Sequence, residues 1–288
     1  MSGWLVPRSD LTPEQLRAIE LPPTEHRVVI GGPGSGKTQL LLHRARHLLD
    51  RLGTSPSRYR LLVFTNVLKA YIASGLDLLD IPHAQVATFD SWCMRLHGTL
   101  KIGRRPWNEE AEQPDFKAIR EEVAHAVRSH PPDPKPFDFV LVDEGQDLDP
   151  TCFDILRAVA GHVTVCMDRK QQIYEAGSDE RQVLATLGAR RASVALLETF
   201  RCCPHVVTLA ASLLDDEADR EAYRRQNRIE QTERLTPLLR ICDDPEQEAR
   251  ETIEVVRSRI ARGERVGVLL PRKQQALSFA KALRGAGI

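Results

Sequence analysis

Eight consecutive residues near the start of the chain have the types and spacing of a phosphate-binding loop. They fit the pattern G-x-x-x-x-G-K-[ST], with a short apolar β-branched run before them and helix-like spacing after them. The run is Gly31-Gly32-Pro33-Gly34-Ser35-Gly36-Lys37-Thr38. Glycines let such a loop turn its amide N–H groups toward a phosphate, and the next helix adds the positive end of its dipole. We expect Lys37 to reach the β- and γ-phosphates of a nucleotide and the Thr38 hydroxyl to hold Mg²⁺.

A second chemical signal lies where a later apolar run ends in two acids. Residues 139–142 predict a buried strand, and Asp143 and Glu144 follow it directly. We expect Asp143 to complete the Mg²⁺ shell and Glu144 to orient or deprotonate an attacking water. A helix cap explains Asp149, which precedes Pro150, but does not explain paired acids at the strand end. The pair therefore favours hydrolysis over binding alone.

The elements that must position these residues alternate regularly along the first two hundred residues. Short apolar runs, each followed by helix-like spacing, indicate a parallel sheet with helices on both faces. The predicted strands are 28–30, 60–65, 86–88, 137–142, 163–167 and 193–197. The fold class is therefore α/β, with the candidate residues at the ends of strands.

Two stretches interrupt this alternation. Residues 103–136 are rich in proline around one candidate helix and predict a small insertion, while residues 214–234 are dense in charge. Beyond them, 238–242 and 266–270 predict two strands, each followed by a helix. We expect a first domain over residues 1–200 and a partial second α/β domain over 201–288.

The composition narrows the remaining classes of protein. The chain has 288 residues, with 40 Lys and Arg against 40 Asp and Glu, so its net charge is zero. Binding of nucleic acid would therefore require a local basic face on the protein. No apolar run approaches the roughly 20 residues of a membrane helix, and no signal peptide is evident. The six cysteines form no C-x-x-C pair and favour reduced thiols. We expect a cytoplasmic protein without membrane contact and with no metal other than Mg²⁺.

Asp143-Glu144-Gly145-Gln146-Asp147 resembles the DEAQD box of UvrD/Rep-type superfamily 1 DNA helicases, with glycine in place of alanine. Further segments resemble other motifs of that family in the same order. They are residues 11–19 (the Q motif), 64–66 (Ia), 88–93 (Ib), 168–174 (III) and 196–202 (IV). The resemblance covers about residues 11–201 and extends weakly to Ile288, and the chain ends before motifs V and VI.

The resemblance implies a RecA-like P-loop NTPase fold with a partial second RecA-like domain, and ATP and Mg²⁺ as cofactors. Gln15 would bind the adenine edge, and Arg201 would stabilise charge on the transferred phosphoryl group. Gln146 and Gln171 would couple the γ-phosphate to the DNA groove. The resemblance also implies single-stranded DNA as the partner, with 3′–5′ polarity. The residues that would touch DNA are Thr65, Asn66, Thr88 and Phe89, and Tyr174 would pack against the nucleotide or the strand.

Simpler interpretations stay open beside these roles. Thr12-Pro13-Glu14-Gln15 is also a capping box, so Gln15 can serve as a helix cap. Aromatic residues at strand ends are more often core than base-stacking platforms. The arginines at 44, 46, 58 and 60 form either a basic face or ordinary solvated surface.

Three departures from the family pattern bear on function. Motif Ib has Asp90 where the family has histidine, Tyr174 is not followed by the usual aromatic residue and arginine, and the insertion at 103–136 is short. Because motifs V and VI are missing, we expect a fragment of a longer helicase, or a short relative completed by a partner protein. The alternative is a nucleotide-gated module that binds DNA or protein without turnover.

Overall fold

The computed structural model describes residues 5–168, 177–189, 194–230 and 236–288, except for the side chains of Ser74 and Lys273. The chain divides into two compact units, Met1–Leu235 and Thr236–Ile288. The boundary therefore lies later than the expected position after residue 200. Residues beyond 200 stay with the first unit because the backbone of Thr199 bonds twice to a later segment. Its N–H donates to the Gln226 carbonyl (2.8 Å), and its carbonyl accepts from Arg228 (2.9 Å).

In the described residues, six strands form one parallel sheet in the order β3-β2-β6-β7-β1-β8, and β4 and β5 form a separate antiparallel pair. The strands are β1 (Arg27–Gly31), β2 (Tyr59–Val63), β3 (Val86–Thr88), β4 (Trp107–Asn108), β5 (Gln113–Pro114), β6 (Phe137–Val142), β7 (Ala160–Met167) and β8 (Val194–Leu196). All six predicted strands of the first unit are confirmed. Their continuous apolar character follows from burial on both faces of the sheet.

Helices cover both faces of this sheet. The helices of the first unit are α1 (Pro13–Glu20), α2 (Lys37–Leu52), α3 (Asn66–Asp77), α4 (Phe89–Thr99), α5 (Phe116–Ser129), α6 (Pro150–Val159), α7 (Glu180–Leu187), α8 (Pro204–Ser212) and α9 (Glu217–Arg225). Alternate residues of β1 separate the core into two clusters. Val28 and Ile30 pack with residues of α4 to α7, and Val29 packs with residues of α1 to α3. The predicted α/β class is confirmed.

Arg44 of α2 lies in the interior, so its expected place on a solvated surface is wrong. Its side chain is fully buried and donates to three carbonyls at the end of α1, those of Ala18, Ile19 and Leu21 (2.8–3.1 Å). It also donates to Thr164 Oγ1 (2.8 Å) and contacts His162 Nε2 (3.0 Å). Burial lowers the pKa of Arg44 to about 10, which still leaves the guanidinium charged at neutral pH. The side chain of Arg44 therefore connects α2 to the end of α1 and to β7.

The N-terminal stretch before α1 also belongs to the fold. Leu5 is buried, and the carbonyl of Val6 lies 2.9 Å from His43 Nε2. The Val6 N–H donates to Gln39 Oε1 at 3.4 Å. These contacts hold the stretch against the first turns of α2, beside the candidate phosphate loop.

The second unit contains α10 (Pro245–Ala261) and α11 (Lys273–Gly285), as predicted, but its two predicted strands are wrong. Within residues 236–288, neither 238–242 nor 266–270 is paired in a sheet, and apolar side chains there are exposed, 83% for Leu239 and 96% for Leu269. An apolar run becomes a strand only where a neighbouring strand accepts its backbone hydrogen bonds. In the described ranges of both units, no helix is long and apolar enough to cross a lipid bilayer.

Candidate nucleotide-binding site

The loop Gly31–Thr38 connects the end of β1 to the start of α2, as its sequence pattern predicts. Gly34 and Gly36 have φ angles of +79° and +84°, a region that side chains rarely adopt. A Cβ atom at Gly34 would lie 2.4 Å from Cβ of Arg201, and one at Gly36 would lie 2.5 Å from Nε2 of Gln15. These two glycines are therefore required by backbone conformation and by the close approach of their neighbours.

Lys37 lies inside the curve of the loop. Its side chain is 7% exposed, and Nζ donates to the carbonyls of Gly31 (2.9 Å) and Gly32 (3.2 Å). Nζ also lies 3.8 Å from Oδ2 of Asp168, which is buried at the end of β7. The loop thus holds a cation at its centre, where a phosphate group would be cradled. The sequence analysis did not identify Asp168 as part of this site.

Thr38 and Asp143 are 105 residues apart in sequence and meet in the site, where the Thr38 hydroxyl donates to Asp143 Oδ2 at 2.7 Å. Burial and the nearby charge of Glu144 raise the pKa of Asp143 to about 6. A hydroxyl and a carboxylate oxygen side by side are donors that suit Mg²⁺, which takes few protein ligands and completes its shell with phosphates and water. A divalent cation would stabilise the carboxylate form of Asp143. It would therefore offset the effect of burial on the pKa of this group.

Glu144 and Gln146 form a short polar chain that ends at β7. Glu144 has a left-handed backbone (φ +54°), which is uncommon for a non-glycine residue and is often found at functional sites. Its Oε2 accepts from Gln146 Nε2 at 2.8 Å, and Gln146 Oε1 accepts from the backbone N–H of Asp168 at 3.0 Å. The carboxylate of Glu144 is therefore oriented by a buried amide. Gln171, which was expected to couple the γ-phosphate to the DNA groove together with Gln146, lies outside the described residues. Tyr174, which was expected to pack against the nucleotide or the strand, also lies outside them.

An open cleft of about 620 Å³ lies over the loop, in the size range of small-molecule sites. It is lined by residues from both candidate motifs, including Lys37, Thr38 and Glu144. Its outer walls include Leu11, Gln15, Gln39, Leu68, Tyr71 and Phe200. Tyr71 and Phe200 are 55% and 42% exposed, so both rings can face a ligand. The sequence analysis missed Gln39 and Tyr71 and gave Phe200 no role.

Gln15 forms the helix cap and also contacts the loop. Its Oε1 accepts from the Thr12 N–H (2.9 Å), while its own N–H donates to Thr12 Oγ1 (3.2 Å), which completes the capping box. Its Nε2 donates to the carbonyl of the buried Ser35 at 2.9 Å. An amide has two N–H groups and two lone pairs, so one donor and one acceptor direction remain for a base. The capping interpretation is confirmed and is compatible with adenine recognition.

Arg201 enters the cleft from a segment that is bonded to the loop. The N–H of Phe200 donates to the Gly34 carbonyl at 3.0 Å, and the exposed Arg201 follows beside the same glycine. This contact brings a guanidinium to the phosphate loop from a position about 160 residues later in the chain. The structure thus brings Arg201 together with Lys37 and Thr38 around one cleft, as a charge-stabilising role requires.

The candidate DNA residues lie where β2 and β3 end. Thr65 caps α3 by accepting from Leu68 N (3.1 Å), Thr88 caps α4 by accepting from Ser91 N (3.3 Å), and Asn66 is exposed. The strands β2 and β3 are parallel neighbours in the sheet, so these residues lie at the carboxyl ends of their strands. The phosphate loop follows the carboxyl end of β1 and lies at the same end of the sheet.

Phe89 is only 3% exposed, and its ring packs edge-on against Trp92 at 5.3 Å. The aromatic side chain belongs to the core, so it is not available as a base-stacking platform, and the contact of Phe89 with DNA stays a prediction. The simpler interpretation of an aromatic residue at a strand end holds for both rings.

Asp90, the acid that replaces the family's histidine, is neutralised by an arginine from the insertion. Arg120 of α5 lies 2.9 Å from Asp90 and 3.3 Å from Asp149, which caps α6. The structure thus pairs the negative charge of Asp90 with a cation within the protein. The insertion that supplies this cation also contains the β4–β5 hairpin.

Comparisons with known proteins find similarity over part of this chain. Residues 11–130 match the model of the UvrD/REP helicase N-terminal domain. The ATP-dependent DNA helicase PcrA of Staphylococcus epidermidis is 36% identical over 72 residues, which are 24% of this chain and 10% of that protein. PcrA of Staphylococcus aureus is 35% identical over a stretch of the same length and coverage. The matched stretch thus spans about a tenth of the length of these curated relatives.

Two solved structures are similar with low scores. The Pif1 helicase from Candida albicans has a TM-score of 0.41 and 14% identity, covering 66% of this chain and 40% of that chain. Domain III of the Thermotoga maritima replication initiation protein DnaA has a TM-score of 0.33 and 14% identity, covering 98% and 95%. The residues matched by the family model include the phosphate loop. Residues 11–130 of this chain are therefore similar to the N-terminal domain of UvrD/REP helicases.

Proposed function

We propose that this chain binds ATP with Mg²⁺ in the cleft over the phosphate loop and hydrolyses it in response to single-stranded DNA. It would act as the ATP-binding region of a UvrD-type helicase with 3′–5′ polarity. The observation that carries the proposal is the meeting of Thr38 and Asp143, whose side-chain oxygens are 2.7 Å apart beside Lys37 and Glu144. A tight turn alone would not bring these four side-chain types together, three of them lining the cleft and Asp143 buried against Thr38.

Binding would use the loop amides and three side chains. Lys37 would exchange its contacts with the Gly31 and Gly32 carbonyls for phosphate oxygens, which are stronger acceptors. Thr38 and Asp143 would hold Mg²⁺, which when bound supplies positive charge against the β- and γ-phosphates. Gln15 would offer its remaining donor and acceptor to adenine, and the exposed ring of Phe200 would pack against the base.

Hydrolysis would proceed by in-line attack of water on the γ-phosphorus. Glu144, held by Gln146, would take the proton of the water as the new P–O bond forms and the bond to the β,γ-bridging oxygen breaks. The products are ADP and inorganic phosphate. Arg201 would stabilise the charge on the transferred phosphoryl group, and Gln171 would contact the γ-phosphate.

The response to DNA would depend on the residues that follow the carboxyl ends of β2 and β3, beside the cleft. Thr65, Asn66 and Thr88 would contact the backbone of a single strand, since helix N-termini and hydroxyls are common phosphate partners. Gln146 would couple DNA binding to the γ-phosphate site, because its side chain contacts both Glu144 and the backbone N–H of Asp168 at the end of β7. Tyr174 would pack against the nucleotide or the strand.

The experiment that tests this proposal is steady-state ATP hydrolysis with and without a single-stranded oligonucleotide. A duplex of the same length and an assay in EDTA are the controls. We expect turnover that needs Mg²⁺ and that rises with the single strand more than with the duplex. ATP binding without turnover under every condition would contradict hydrolysis and favour a nucleotide-gated binding module.

A further inference from the structure

Gly145, which follows Glu144, lies directly against strand β7. A Cβ atom at Gly145 would lie 2.2 Å from Cγ1 of Val165 and 3.4 Å from the carbonyl oxygen of Cys166. Real Cβ atoms do not approach carbon this closely, so no side chain fits at position 145 while Val165 stays in place. Val165 is fully buried and has little room to move.

This close approach fixes the two side chains on either side of Gly145. Glu144 adopts its left-handed backbone (φ +54°) immediately before the contact. Gln146 follows in a short 3-10 turn, and its amide oxygen reaches the Asp168 N–H at 3.0 Å only because the turn lies close to β7. The carbonyl of Gln146 also accepts from Ser178 N at 3.2 Å. The close approach of residue 145 to Val165 therefore determines where Glu144 and Gln146 lie, and so fixes the contact between their side chains.

We propose that Val165 is a positioning residue for Glu144 and acts through Gly145. This inference rests on the proposed role of Glu144 as the base. Val165 fills the space that a methyl group at position 145 would need, so residues 145 and 165 share one volume. Alanine at 145 would require a smaller residue at 165, and glycine at 145 is required by valine at 165. Val165 is fully buried and does not line the cleft, so its effect would reach the reaction only through the backbone.

The test is a double-mutant cycle of Gly145→Ala and Val165→Ala. Gly145→Ala must push the turn away from β7 by about 1 Å, so we expect single-turnover hydrolysis to slow about tenfold or more. The Kd for ATP should stay within about threefold, because Lys37 and Thr38 are not displaced. Adding Val165→Ala removes the clash and should restore most of the hydrolysis rate.

The matched control is Gly145→Ala with Val163→Ala. Val163 lies two residues earlier on β7, is equally buried and faces the same cluster, but is not among the atoms nearest to Gly145. It should not restore hydrolysis. The proposal is overturned if Gly145→Ala hydrolyses ATP at the wild-type rate, or if Val163→Ala restores the rate as well as Val165→Ala does.

A second readout separates this proposal from the proposed function. The free energy of unfolding should fall in Gly145→Ala and recover with Val165→Ala, whether or not the chain hydrolyses ATP. If the wild-type chain shows no hydrolysis, the proposed function fails, while the unfolding cycle still decides whether residues 145 and 165 share one volume. If stability recovers but hydrolysis does not, Val165 only packs the core, and the positioning role is wrong.

Discussion

Glu144→Gln is expected to lower kcat for ATP hydrolysis about 10²- to 10⁴-fold, the usual contribution of a general base. Glutamine has the length of glutamate, and its amide oxygen can still accept from Gln146 Nε2, so the geometry of the site should persist. What the variant loses is the capacity to take a proton from water. The measurement is steady-state hydrolysis together with the Kd for ATP, which should change little because Lys37, Thr38 and Asp143 remain.

Glu121→Gln serves as the control for loss of one negative charge. Glu121 is exposed on α5 and forms an ion pair at 4.0 Å with Lys117, outside the cleft. It should hydrolyse ATP at the wild-type rate. A Glu144→Gln variant that keeps kcat within about threefold of wild type would show that another group takes the proton.

Arg44→Met is expected to destabilise the first unit by at least about 3 kcal/mol. Removing a buried charge recovers part of its desolvation cost, which is visible in the lowered pKa of Arg44. The loss is larger, because the buried carbonyls of Ala18 and Ile19 and the partly buried carbonyl of Leu21 lose their partner. Methionine keeps the unbranched apolar part of the arginine side chain but has no donor, so it cannot replace any of these bonds.

Arg46→Met is the matched control, since Arg46 lies on the same helix with a half-exposed side chain that forms an ion pair with Asp50. Its loss should cost less than about 1 kcal/mol. The measurement is urea unfolding followed by tryptophan fluorescence, which reports the first unit because all three tryptophans lie before residue 108. Equal destabilisation by the two variants would contradict the anchoring role of Arg44.

The sheet of the first unit could be predicted because its signals are local. Each strand is a short apolar run. The pairs in the middle of the sheet join strands that are buried on both faces. The predicted strands 238–242 and 266–270 had the same pattern but are unpaired in the described residues of the second unit. A strand depends on a partner, and no property of the run itself reports whether that partner is present.

The centre of the site was predictable and its walls were not. Lys37, Thr38, Asp143 and Glu144 belong to motifs whose spacing carries the chemistry. Tyr71 and Phe200 reach the cleft through tertiary packing. The burial of Arg44 follows from carbonyls about 25 residues before it and from residues 162 and 164, about 120 residues after it. Without these distant partners, an arginine on an amphipathic helix is expected at the surface.

The most direct test of the account is a calorimetric titration of the 288-residue chain with ATP and Mg²⁺, beside Lys37→Met. Lys37 is the cation that the loop holds at its centre, so its removal should weaken ATP binding at least about tenfold. Tryptophan fluorescence would confirm that the variant is folded. We predict one ATP bound per chain for the wild type and much weaker binding for Lys37→Met. No ATP binding by the wild type, or equal binding by both proteins, would contradict the assignment of this cleft as a nucleotide site.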